Sequence, residues 1–114
     1  MLSNANRMTP WIVLLAAGLF EVAWAVGMEY SDGFTKPLPT ALTAIGLLAS
    51  IVLLARAIQD LPVGTAYAVW TGIGAVGTAL LGIVLFEESA DLLRLTFVGL
   101  IVVGIVGLHQ VSGV

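Results

Sequence analysis

Four long apolar stretches run along the chain, separated by the short polar breaks EYSDGFTKP, QDLP and EESAD. Each stretch is close to the ~20 apolar residues that an α-helix needs to cross the ~30 Å hydrocarbon core of a bilayer with every backbone hydrogen bond made internally. The pattern predicts helices over Pro10–Met28, Pro39–Ile58, Val63–Phe86 and Leu93–Val111. Prolines sit near three of the starts, where a missing backbone N–H costs a helix nothing. The predicted fold class is an all-α membrane protein with four transmembrane helices per subunit: a single domain over 10–114 behind a short polar tail over 1–9.

Composition strengthens that reading. Of 114 residues 60% are hydrophobic and 10% charged, with a mean hydropathy of +1.10, against roughly 25% charged residues in a soluble domain. A net charge of −3 and scattered Lys and Arg residues offer no basic patch, so nucleic acid is excluded as a partner and membrane lipid takes its place. Cysteine is absent, which removes disulfides, thiolate metal sites and cysteine nucleophiles. No metal site or cofactor is expected, and no nucleophile, base and orienter are spaced as a hydrolase needs, so the chain does not read as an enzyme. The first apolar run lacks a small-residue cleavage site and is expected to remain as a helix.

Ten of the eleven charged residues lie in the breaks, the tails or within about a turn of a helix end, where side chains reach the headgroups. Glu21 does not. It follows Pro10 by eleven residues, which at 1.5 Å per residue sets it ~16 Å deep, about halfway through the core. An acid there costs a few kcal/mol and is usually retained for ion binding, proton relay or pairing. No Lys or Arg lies at comparable depth, so Glu21 is read as the substrate- and proton-binding residue rather than as neutral packing glue. Ala17 and Gly18 stand one turn before it and Trp24 and Ala25 one turn after, an arrangement that leaves space beside the carboxylate and borders it with an indole. Trp24 lies too deep for the interfacial aromatic belt and its N–H needs a buried acceptor, whereas Trp11 reads as an interfacial anchor.

The third stretch, GTAYAVWTGIGAVG, puts Tyr67, Trp70, Thr71 and Gly74 on one helical face, where a phenol can orient a carboxylate and an indole can hold a cation. Gly72, Gly74 and Gly77 spell G-x-G-x-x-G, but inside an apolar helix with no preceding strand they read, with Gly18, as helix-packing or bending positions, not as a dinucleotide site. Thr43, Gly46 and Ser50 share a face of the second helix, where Ser50 is open to a substrate N–H or to a bond back to its own helix. Gly99, Gly104 and Gly107 mark the fourth helix as a dimer contact, and His109 reads as interfacial.

Four helices of this length enclose little more than side chains, so a central pathway requires a second subunit. Arg7 and Arg56 fall on one side of the membrane and Lys36 and Arg94 on the other, a two-against-two balance that sets no orientation. Either an antiparallel pair forms by dual insertion, or orientation is set by other features of the chain.

With FEVAWAVG around Glu21, YSDGFT before the second helix and LPVGTAYAVWTGIGAVG in the third, the sequence from Trp11 to His109 resembles the small multidrug resistance transporters, and within them the guanidinium exporter subtype. The resemblance implies an antiparallel, dual-topology homodimer in the cell membrane that exchanges protons for a cation by alternating access at a site shared by two glutamates. The matching positions would be Glu21 as proton and substrate site, Trp24 as its neighbour and hydrogen-bond donor, Ser50 as the hydroxyl that helps set the carboxylate, and Tyr67 and Trp70 as the aromatics around it. An indole at Trp24 favours a small planar substrate, guanidinium. The alternatives are export of broader quaternary ammonium or aromatic cations, and a non-transporting helical partner subunit. One departure stands out: Glu29 occupies a position near the end of the first helix where that family usually has lysine.

Overall fold

The computed structural model describes residues 4–112, with side chains from Met8 onward. Residues 1–3 and 113–114, part of the expected polar tail and the extreme C-terminus, lie outside the described residues, as does the Arg7 side chain. The described chain forms α1 (Asn4–Tyr30), α2 (Pro37–Ala57), α3 (Val63–Phe86) and α4 (Leu92–Ser112). All four are long and apolar enough to span a bilayer, and the protein is a multi-pass integral membrane protein. The third helix has the expected bounds and the second and fourth lie within two residues of theirs. The first begins six residues before Pro10, so this proline sits inside the helix rather than at its start.

Local chemistry fixes the ends. Prolines occupy the first turn of α2, and Pro62 stands at the N-cap of α3. Asp91 caps α4: its Oδ1 accepts the Arg94 N–H at 2.8 Å and its Oδ2 accepts the Ser89 hydroxyl at 2.9 Å. Those bonds, the Arg94 amide first, hold the Asp91 carboxyl below the usual carboxylate range. The loop after α1 winds through three residues with positive φ, Asp32, Gly33 and Phe34, around a fully buried Ser31. The Ser31 hydroxyl donates to the Met28 carbonyl at 2.6 Å and accepts the Phe34 N–H at 3.1 Å, which closes the α1 end.

The helices run up, down, up, down. α1 packs most extensively on α2 and next on α3, while the backbone of α4 approaches only α3. Two seams hold α1. Against α2, Ala17, Trp24 and Gly27 meet Ser50, Gly46 and Thr43, residue numbers falling as α1 rises. Against α3, Gly18, Glu21 and Val22 meet Ile73, Gly74 and Gly77, both numberings rising. α1 is thus the central helix, and its glycines and those of its neighbours let backbones approach closely, the usual device where lipid removes the hydrophobic drive between helices.

The apolar core is concentrated at one end, where Trp11, Leu14, Ala57, Leu61, Ala66 and Val69 form a buried cluster. Trp11, expected at the lipid interface, is instead buried and stacks edge-on against His109 with ring centroids 4.5 Å apart, because the ends of α1 and α4 close over it. The opposite end, carrying the 31–36 and 87–91 loops, is looser; there Tyr30 and Phe86 stack at 5.3 Å. α4 buries none of its residues in this subunit.

The end of α3 stores a small backbone strain. Glu87 adopts a left-handed conformation with φ 56°, and the N–H groups of Glu87 and Glu88 both turn back to the Gly82 carbonyl. Glycine takes that conformation without steric cost, so Glu87→Gly is expected to stabilise the subunit by about 1 kcal/mol. Thermal unfolding in detergent checks this, and a lowered midpoint would show that the Glu87 side chain contributes more than its backbone costs.

Candidate functional site

Glu21 lies in the middle third of α1, on the face turned toward α3. Its carboxylate rests directly on the Gly74 backbone. Any side chain at position 74 would occupy the space of Glu21 Oε1 and Cδ, so glycine there is what admits the acid between the helices. Glu21 Oε1 is buried and has no hydrogen-bond partner among the described residues. A buried carboxylate oxygen without a partner forfeits the hydration it had in water, a cost that a bound proton or cation can offset.

One turn further along α1, Trp24 packs its Cβ against α2, where a methyl group added to Gly46 would stand 3.3 Å from it. Its indole Nε1 is also buried without an acceptor among the described residues. The expected bond from Trp24 to the carboxylate is therefore not made within the subunit: an unpaired acceptor and an unpaired donor lie one helical turn apart, with Glu21 turned to α3 and Trp24 to α2.

Ser50 departs from one of the two sequence expectations, a bond back to its own helix. It bonds neither to its own helix nor to Glu21. Fully buried, it donates to the Ala17 carbonyl of α1 at 2.7 Å and accepts the Trp70 Nε1 proton at 2.9 Å. Ala17 precedes Glu21 by four residues, so its carbonyl is also the helical acceptor for the Glu21 backbone N–H. The chain Trp70 to Ser50 to Ala17 thus crosses three helices and ends on the turn that carries the acid.

Tyr67 is exposed on α3, its ring tilted against Trp70 at 5.5 Å. Within one subunit it makes no hydrogen bond to Glu21, and it precedes Gly74 by seven residues, about two turns of α3. Of the glycines, Gly18 faces Ile73 and Gly77 faces Val22, each with 2.5 Å from a hypothetical Cβ to the neighbouring methyl, and Gly72 faces Ile105 of α4 at 2.9 Å. Gly99, Gly104 and Gly107 meet nothing within 4 Å in the subunit.

Sequence reasoning did not single out two residues that the packing does. Thr40 Oγ1 is a third buried, unpaired polar atom, and its place in PLPT at a helix start gives only a capping signal. Ile73 fills the notch opposite Gly18, and nothing separates it in sequence from the many other aliphatic residues.

The cross-helix chain makes a direct prediction. Ser50→Ala leaves the Trp70 N–H without its acceptor and frees the Ala17 turn, at a cost of about 1–2 kcal/mol. The expected readout is a lowered unfolding midpoint in detergent together with altered Trp70 fluorescence; an unchanged midpoint would mean that shape packing alone holds α2 on α1.

Comparison with known proteins is consistent with this geometry. Residues 9–101 match the family described as Small Multidrug Resistance protein. The chain is 58% identical over 102 residues to a guanidinium exporter of Yersinia pseudotuberculosis, covering 90% of this chain and 98% of that protein. It is 57% identical over 98 residues to a guanidinium exporter of Escherichia coli strain K12, covering 86% and 93%. A guanidinium exporter of Citrobacter freundii is 58% identical over the same length. These relatives are named as exporters rather than enzymes. A four-helix membrane subunit with one acid set between its helices, matched over most of its length, belongs to the small multidrug resistance family.

Proposed function

We propose that this protein exports guanidinium in exchange for protons, with Glu21 binding both in turn, as an antiparallel dual-topology homodimer. The observation that carries the reading is the Glu21 carboxylate: inside a span, seated on Gly74, one oxygen buried without a partner. A planar guanidinium offers paired N–H donors to carboxylates, a match that a spherical ammonium lacks. The high identity to proteins named guanidinium exporters supports the same substrate.

The chemistry is competition. A proton on Glu21 removes the negative charge that the cation needs, and a cation on Glu21 displaces the proton, so one carboxylate couples the two flows without a separate proton gate. Trp24 borders the bound cation and limits its size, while Ser50 and Trp70 hold the α1 turn that presents the acid. In the dimer a second Glu21 and the outward Tyr67 complete the site. The open Gly99, Gly104 and Gly107 face of α4, which buries nothing within the subunit, supports that helix as the contact with the second copy.

Calorimetry of guanidinium binding across pH tests the coupling. For the native protein, apparent affinity falls as the pH drops through the titration of Glu21, about tenfold per pH unit below it for one competing proton. Glu21→Gln is expected to remain a folded dimer and lose pH-dependent binding and proton-driven transport. Unchanged, pH-sensitive binding in the Gln variant would assign the coupling to another group.

Orientation is tested separately. Single cysteines in the 31–36 or 87–91 loops of this cysteine-free chain are expected to react with impermeant reagents from both sides of the membrane. Labelling from one side alone would remove the antiparallel pair.

A further inference from the structure

The third helix carries a line of hydroxyls past the acid. At 3.6 residues per turn, Tyr67, Thr71 and Thr78 fall with Gly74 within roughly 60° of arc around α3. The α1 seam, marked on α3 by Ile73 and Gly77, lies to one side of Gly74, and the two threonines lie to the other. The Glu21 carboxylate, seated on Gly74, therefore stands at the edge of the seam, with Thr71 three residues before its seat and Thr78 four residues after it. Positions at those spacings are neighbours on a helix surface, roughly 5–6 Å apart at Cβ.

Neither threonine uses its hydroxyl within the subunit. A threonine inside a helix can donate to its own backbone, as Thr43 does to the Pro39 carbonyl at 2.7 Å and Thr96 to the Leu92 carbonyl at 2.8 Å. Thr71 and Thr78 make no hydrogen bond among the described residues. Thr71 is exposed on the subunit surface. Thr78 is half-buried and lines a cavity of about 290 Å³ between α1 and α3, which reaches Glu29 and Glu88 at the looser end of the bundle. A hydroxyl left unbonded in hydrocarbon is costly, and these two flank the seat of a carboxylate whose Oε1 is itself buried without a partner. One charged acceptor and two neutral ones thus share a single strip of α3 surface, with none of them committed to the protein.

We propose that Thr71 and Thr78 are specificity-determining residues of the Glu21 site, their hydroxyls accepting the guanidinium N–H groups that the carboxylate leaves unpaired. The inference rests on the reading of Glu21 as the guanidinium site and deepens it. A carboxylate engages one edge of the planar cation through two parallel N–H bonds. The remaining N–H groups lose water on entering the span, and each needs an acceptor in its place. Hydroxyls supply acceptors without adding charge, so they hold a cation rich in N–H donors and offer nothing to a quaternary ammonium, which has none. A proton on Glu21 needs neither hydroxyl, so the pair acts on the cation alone.

The test is calorimetry of guanidinium chloride binding to the full chain in detergent, comparing native protein with Thr71→Val, Thr78→Val and the double variant. Valine keeps the branched shape of threonine and removes only the hydroxyl. The double variant is expected to bind guanidinium about tenfold more weakly than native, and each single variant about threefold more weakly. The pH at which Glu21 takes up its proton, followed by NMR of its side-chain carboxyl without guanidinium, is expected to stay at its native value in all three. Thr71→Ser and Thr78→Ser, which keep a hydroxyl, are expected to bind as native does. Native affinity in the double valine variant would overturn the hydroxyl pair alone. So would a loss that serine does not restore, or one accompanied by a moved proton uptake at Glu21, since either outcome means that the threonines act on the carboxylate by shape. Native protein that does not bind guanidinium would overturn the reading of Glu21, and the hydroxyl pair with it.

Discussion

The bond from Ser50 to the Ala17 carbonyl, with the Trp70 indole donating to the same hydroxyl, fixes the helix turn on which the rest of the site depends. Without it α1 would be held by shape alone, on seams whose contacts are mostly methyl groups set against glycines. In a bilayer such seams have no hydrophobic drive behind them, since lipid tails solvate aliphatic side chains as well as neighbouring helices do. A directional bond between helices supplies the register that packing leaves loose. That register seats Glu21 on Gly74, Trp24 on Gly46 and Val22 on Gly77.

The division of labour along the bundle follows from this. One end is closed by the buried cluster around Trp11, Leu14, Leu61 and Ala66. The other end has stacked rings, a Ser31-centred loop with three positive-φ residues and a left-handed Glu87, and a cavity rather than a core between α1 and α3. Glu21 sits at the junction. A conformational change that exposes an acid alternately to two sides needs one firm end to pivot on and one end whose packing is inexpensive to alter.

The buried polar atoms of the subunit divide into bonded and unpaired sets. Glu21 Oε1, Trp24 Nε1 and Thr40 Oγ1 are buried without partners among the described residues, while Ser50, Thr43 and Ser31 are all bonded. The satisfied groups hold helices and loops. The unsatisfied ones lie on the two α1 seams or on the first turn of α2, where a ligand or second copy supplying donors and acceptors would relieve the cost of their burial.

The sequence by itself determined the four spans, their short connections and the identity of the one acid within them. Hydropathy over ~20 residues and the expense of an ionisable group in hydrocarbon are properties of the chain and its solvent, independent of how helices meet. It also marked Ser50, Trp70 and Gly74 as residues of interest by their helical faces. Which groups touch was decided by tertiary structure alone. Helical spacing puts Ser50 and Glu21 on defined helix faces, but a rotation of α2 by one residue, about 100°, would redirect the hydroxyl, and only the packed bundle selects the Ala17 carbonyl as its partner. Trp11 reads as an interface anchor until α4 returns His109 beside it. Glu29 and Glu88, nearly sixty residues apart in sequence, share a cavity only because α1 and α3 run parallel and end on the same side.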